Sequence, residues 1–218
     1  MLSIKNGQDG HTSNIELAPR LGCNIIREAL YDIDFRSELV VLDVGAAASS
    51  SVKFFSEKKT RLFFPDLYNA DFITGTQPDL PKSDLVSLFR LAMSITPDLQ
   101  LDYCFFWDIF SFLKRPYILA LLEALRPNLS EKTRGYCIGN MHGLDMPNCH
   151  YGIADTCELT QAHRHGASLK TYAHSLSELN SLLKPFVISK NRLLVKGRME
   201  YLLLDSSLSA EPSKAMFR

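Results

Sequence analysis

Three acidic residues follow short apolar runs in this 218-residue chain: Asp43 after Leu39-Val40-Val41-Leu42, Asp66 after Arg61-Leu62-Phe63-Phe64-Pro65, and Asp108 after Tyr103-Cys104-Phe105-Phe106-Trp107. Runs of this kind predict parallel strands covered on both faces, and ligands of a doubly wound sheet sit beyond the carboxyl ends of its central strands. The three carboxylates should therefore converge on one crevice. After Asp43 come Val44, Gly45, Ala46, Ala47, Ala48 and three serines. Such small residues let backbone approach a ligand closely while the chain turns into a helix. Asp66, about 20 residues further on, stands where a carboxylate accepts hydrogen bonds from both hydroxyls of a ribose. These spacings predict nucleoside binding around Val40 to Ser51.

Each residue also has a plainer reading. Asp43 can cap the following helix, Asp66 can be a turn residue after Pro65, Trp107 can be core, and Asp108 can cap the next turn. Five of the six histidines (His142, His150, His163, His165, His174) fall near Cys149, Cys157, Asp145, Asp155 and Glu158. Their spacings match no closed zinc pattern, so no metal is expected. A loop histidine serving as general base is the alternative, with His142 first because it follows a strand end.

These residues need elements to position them. Residues 1–19 are polar and predict a flexible arm, and Leu21 to Ile33 carries apolar residues at helical spacing. Strands then alternate with helices: Lys82 to Met93 and Arg115 to Leu125 read as helices, Arg134 to Ile138 as a strand. Residues 141–174 read as an irregular substrate-side loop, longer than a plain connection. Ser175 opens a short capped helix, Phe186 to Leu194 and Arg198 to Leu204 form an antiparallel pair, and residues 206–218 form a tail. This order predicts one α/β domain over residues 20–205, with a doubly wound, mainly parallel seven-stranded sheet, an antiparallel closing strand and helices on both faces.

Apolar residues make up 46% and charged residues 22% of the chain, a composition that folds. Lys+Arg and Asp+Glu both number 24, so no basic excess points to nucleic acid. The chain has no apolar stretch of membrane-spanning length and no signal-like N-terminus. Five scattered cysteines without a CxxC pair fit reduced thiols. A cytoplasmic, soluble protein is the expectation, with no membrane partner.

The segment Val41-Leu42-Asp43-Val44-Gly45-Ala46-Ala47 resembles the first motif of class I S-adenosylmethionine-dependent methyltransferases, an acidic residue followed by a Gly-rich turn. Tyr103 to Leu113 resembles the family's fourth-strand segment. Leu121-Leu122-Glu123-Ala124-Leu125-Arg126-Pro127-Asn128-Leu129 resembles the helix and Pro-containing turn before its fifth strand, and Glu200-Tyr201-Leu202-Leu203 its reversed last strand. The resemblance implies a Rossmann-like methyltransferase that binds S-adenosylmethionine and transfers a methyl group to a small-molecule or protein acceptor. By resemblance, Gly45, Ala46 and Ala47 beside Asp43 lie against the methionine part. Asp66 holds the ribose, Leu67 packs on adenine, and Trp107 with Asp108 walls the methyl-donor end.

Ala47 and Ser49 stand where the family often repeats glycine, and no third strand is evident between Asp71 and Gln100. Trp107-Asp108-Ile109-Phe110 bears no likeness to the Asn/Asp-Pro-Pro-Tyr motif of amino-group methyltransferases, which disfavours a DNA-base or glutamine acceptor. Two alternatives stay open. One is a methyltransferase-like binding or scaffolding subunit without catalysis. The other is an NAD(P)-binding oxidoreductase, which would carry a GxGxxG that this chain lacks.

Overall fold

A segment buried on both faces satisfies its backbone by pairing along both edges, which is why the short apolar runs become central strands. The structure, a computed structural model, describes residues 19–30, 38–140, 146–164 and 169–207. Its first half holds β1 (Arg20–Gly22), α1 (Ile25–Ala29), β2 (Leu39–Asp43), α2 (Ser49–Ser56), β3 (Thr60–Phe63), α3 (Asp71–Thr74), α4 (Lys82–Met93) and β4 (Tyr103–Trp107). The second half holds α5 (Arg115–Leu125), β5 (Arg134–Asn140), β6 (Cys149–Asp155), β7 (Glu158–His163), α6 (Leu176–Leu182), β8 (Phe186–Leu193) and β9 (Arg198–Asp205).

The main sheet has the order β3-β2-β4-β5-β9-β8. Strands β3, β2, β4 and β5 are parallel, while β9 runs antiparallel between β5 and β8. The reversed strand of the expected architecture is present, inserted rather than at the edge. Its seven strands are not: among the described residues the main sheet has six. Residues 71–100, where a further edge strand would fall, hold α3, α4 and Pro78, Pro81 and Pro97. Proline cannot donate to a ladder, and α4 buries Leu85, Val86, Phe89 and Met93 at helical spacing. Strand β3 is left as the edge.

Two further expectations are corrected. Leu21 lies in β1, and the first helix covers only Ile25–Ala29, because Arg20–Gly22 pairs with β7; Ile33 lies outside the described residues. Within the expected loop 141–174, Cys149–Asp155 and Glu158–His163 form an antiparallel hairpin. With β1 it makes a separate three-stranded sheet, β1-β7-β6. Of the predicted arm only Pro19 is described, and its carbonyl accepts the Gln161 N–H at 2.8 Å.

Every residue of β2 and of β4 is buried. Successive side chains of β4 point to opposite faces: Phe105 meets Phe55 of α2, whereas Phe106 meets Phe110 and Phe186. Cys104 and Cys137 are buried among these apolar side chains. No helix among the described residues is long and apolar enough to cross a membrane.

Phe106 is fully buried, so Phe106→Ala removes a ring that its neighbours cannot replace. Urea denaturation is expected to show a loss of about 3–5 kcal/mol.

Candidate functional site

Asp43 closes β2 and turns its carboxylate into the protein. Its Oδ1 accepts the Gly45 N–H at 2.9 Å and the Trp107 indole N–H at 2.6 Å, while Oδ2 is buried with no hydrogen-bond partner. Burial pushes the Asp43 carboxyl up to about 7, against the two hydrogen bonds and with a further push from Asp66. A side chain at position 45 would bring a Cβ to 3.3 Å of Asp43 Oδ1, a tight approach, and to an ordinary contact of 3.7 Å with the Trp107 ring, so glycine keeps the turn close to both. The turn is locked by Val44, whose N–H donates to Phe105 O (3.1 Å) and whose carbonyl accepts from Leu67 N–H (2.8 Å).

Asp66 takes a left-handed backbone (φ 45°) just past β3, and Asn69 Nδ2 donates to its Oδ2 at 2.7 Å. Trp107 is also left-handed (φ 47°), at a register shift between β4 and β5. Its indole stacks on Phe105 and on Tyr151 of the hairpin, the latter at 5.6 Å between centroids. Asp108 is fully buried, accepts the Tyr68 hydroxyl at 2.7 Å, and lies 3.5 Å from Arg164 Nη2. Burial raises the Asp108 carboxyl to about 6, against the pull of Arg164 and Tyr68. Its Oδ2 has no partner.

The hairpin β6–β7 roofs this crevice. His150 Nε2 lies 2.9 Å from Ala46 O, Ser51 Oγ accepts the Ile153 N–H at 3.0 Å, and Ser50 and Thr160 share a hydroxyl contact of 2.7 Å. Gly152 permits the approach: a Cβ there would overlap Ser50 Oγ and sit 2.6 Å from Ala48 Cβ. Arg164, just past β7, lays its guanidinium 3.6 Å from the Tyr68 ring centre and bonds back to Asn148 Oδ1 at 3.1 Å. Between floor and roof lies a cavity of about 200 Å³, with Gly45, Ala46, Asp66 and Trp107 below and Tyr151 and Arg164 above.

The strand ends thus gather Asp43, Gly45, Ala46, Asp66, Trp107 and Asp108 as the sequence predicts, but in unequal roles. Gly45, Ala46, Asp66 and Trp107 face the cavity. Asp43, Leu67, Ala47 and Asp108 do not line it: Asp43 and Leu67 are buried, Ala47 is exposed, and Asp108 is sealed under Tyr68 and Arg164. Trp107 is both core and wall, and the Asp108 side chain does not cap the turn after it. Sequence reasoning missed Tyr68, Tyr151 and Arg164; of these only Tyr151 had a local signal, the two-residue spacing of Cys149, Tyr151 and Ile153, which the burial of Gly152 blurs.

His142 and His165 lie outside the described residues. His174 Nε2 is 2.9 Å from Leu113 O, and His174 does not line the cavity. Among the described residues no three His, Cys, Asp or Glu side chains gather to hold a metal.

The parallel sheet with one reversed strand, and acidic strand ends beneath a small-residue turn, define the fold as Rossmann-like. No protein-family model matches the chain, and no curated protein does. Among solved structures it is similar to a DhpI–S-adenosylhomocysteine complex, at 13% identity over 82% of this chain and 81% of that one, TM-score 0.42. It is similar also to magnesium protoporphyrin IX methyltransferase from Synechocystis PCC 6803 with bound S-adenosylmethionine, at 12% identity over 84% and 76%, TM-score 0.47. A third is the pyocyanin biosynthetic protein PhzM, at 15% identity over 84% of this chain, TM-score 0.42; the chain spans about half its length, 55%.

The raised carboxyls of Asp43 and Asp108 mean that the folded protein binds protons more tightly than the unfolded chain. Their contribution to stability is full below about pH 4 and is lost as pH rises through about 6 to 7. The thermal midpoint is expected to fall between about pH 5 and about pH 8, and Asp43→Asn to flatten that fall. A wild-type midpoint independent of pH over this range would contradict the assignment. Gly152→Val is expected to lift the hairpin off α2, read as faster amide exchange across residues 149–163 while β4 stays protected.

Proposed function

We propose that the protein is an S-adenosylmethionine-dependent methyltransferase acting on a small-molecule or protein acceptor. The observation that carries this reading is Asp66: a half-buried carboxylate at the carboxyl end of β3, facing a cavity whose other walls are the Gly45-Ala46 turn and the Trp107 ring. A carboxylate so placed accepts two hydroxyl donors at once, the requirement of a ribose. Leu67, next to Asp66, is wholly buried and so is not exposed to pack on an adenine.

The residues fit the nucleoside end of the cofactor, with Asp66 to hold the ribose and Gly45 and Ala46 to receive the methionine part. When bound, the cofactor supplies an electrophilic methyl group. This chain's own residues then need only align the acceptor and exclude water, and the hairpin with Tyr151 and Arg164 is the element that excludes it. Trp107 would wall the methyl-donor end, whereas Asp108 is kept from it by Tyr68 and Arg164.

A second reading, a binding subunit of the same fold without catalysis, is favoured by the closure itself. The cavity of about 200 Å³ falls below the ~300 Å³ usual for ligand pockets, and His150, Tyr151 and Gly152 press on the turn.

Isothermal titration with S-adenosylmethionine, S-adenosylhomocysteine and NAD separates these. Binding of the first two is expected, with Asp66→Asn, which keeps a residue suited to the left-handed backbone, weakening it by about 10–100-fold at nearly unchanged melting temperature through the loss of a charge-assisted pair of hydrogen bonds. Binding of none selects the binding subunit, and binding of NAD alone would overturn the proposal.

A further inference from the structure

A second, larger cavity of about 670 Å³ opens at the same end of the sheet, between the hairpin, β1 and the start of β9. Cys149 and His163 stand in the walls of both cavities. Arg198, Lys196 and Arg20 line it, and no Asp or Glu is among its described lining residues. Leu21, Met146 and Val195 give it apolar walls.

Arg198 is the decisive group. It starts β9 opposite Asn140, at the carboxyl end of β5, and is 6% exposed. Both its side-chain hydrogen bonds are made by Nη1, to the Tyr151 hydroxyl (3.4 Å) and Gln161 Oε1 (3.3 Å), which are neutral acceptors. No carboxylate pairs with it among the described residues. Glu200, two residues along β9, instead accepts the Asn24 N–H (3.0 Å) and the Tyr136 hydroxyl (3.3 Å). A buried guanidinium without a counter-charge is costly, and its planar fork matches a carboxylate. Lys196 adds an exposed cation at the cavity, held by a left-handed backbone (φ 59°), with no ion-pair partner among the described residues. Arg20 is already bridged to Glu158.

We infer that this cavity binds a small organic acid, its carboxylate on Arg198 and Lys196 and its apolar body along Leu21, Met146 and Val195. That this acid is the methyl acceptor rests on the methyltransferase reading, with Cys149 and His163 lining both this cavity and the proposed cofactor cavity.

The full chain is titrated with benzoate, with benzamide as the neutral isostere, and with inorganic phosphate, each with and without saturating S-adenosylhomocysteine. Benzoate is expected to bind at least tenfold more tightly than benzamide or phosphate, and equally well with S-adenosylhomocysteine present. Lys196→Ala and Arg198→Gln are each expected to weaken benzoate about tenfold, and Lys196→Ala to leave S-adenosylhomocysteine affinity unchanged. Lys196 is exposed, so its variant keeps the test valid should Arg198→Gln fail to fold. Equal binding of benzoate and benzamide, preference for phosphate, displacement of benzoate by S-adenosylhomocysteine, or unchanged benzoate affinity in Lys196→Ala would each overturn the inference. Benzoate binding without any S-adenosylhomocysteine binding would leave the acid site standing and remove its role as acceptor site.

Discussion

A single carboxylate oxygen, Asp43 Oδ1, ties together the two strand ends on which the crevice depends. It takes the Gly45 N–H from its own turn and the Trp107 indole N–H from β4. The second bond helps hold Trp107 in a left-handed conformation that costs a bulky residue about 1–3 kcal/mol. Stacking of its indole on Phe105 and on Tyr151 completes the restraint. The other oxygen is buried without a partner, so the interior favours the neutral carboxyl. The turn is therefore shaped by a buried acid rather than by repeated glycines, and alanines suffice at positions 46 to 48.

The hairpin follows from that shape. A flat, small-residue turn offers Ala46 O to His150 and leaves room over Ala48 and Ser50 only for a glycine, Gly152. Once seated, β6 delivers Tyr151 to the indole, and the end of β7 delivers Arg164 to Tyr68 and Asp108. One element thus roofs the small cavity and walls the larger cationic one.

Much of this was legible from residue order alone. The helices at Lys82–Met93 and Arg115–Leu125 have the predicted bounds, because their apolar spacing is local and strong. The strand ends at Asp43, Asp66 and Trp107-Asp108 converge as their runs require. The hairpin was not legible, because β6 buries Gly152 between Tyr151 and Ile153 and so blurs the alternation that marks a half-exposed strand. Its partner β1 lies at the other end of the chain, beyond the reach of any local pattern. The helical spacing over Leu21 to Ile33 misled for the same reason: pairing with β7 draws Arg20–Gly22 into a strand. The placement of Arg198 follows from the register of β9 against β5, a long-range fact that no spacing encodes.

The pairing of β1 with β7 also sets an order of assembly. During synthesis from the N-terminus β1 emerges first, yet the strand it pairs with follows β5 and β6 in the chain. Contacts so distant in sequence form late, since the intervening chain must first be ordered. The parallel strands β2 to β5 can meet while β1 still waits. The roof is consequently a late-closing part of the molecule, stitched from segments far apart in the chain, and a nascent chain stalled before β7 would present the crevice open.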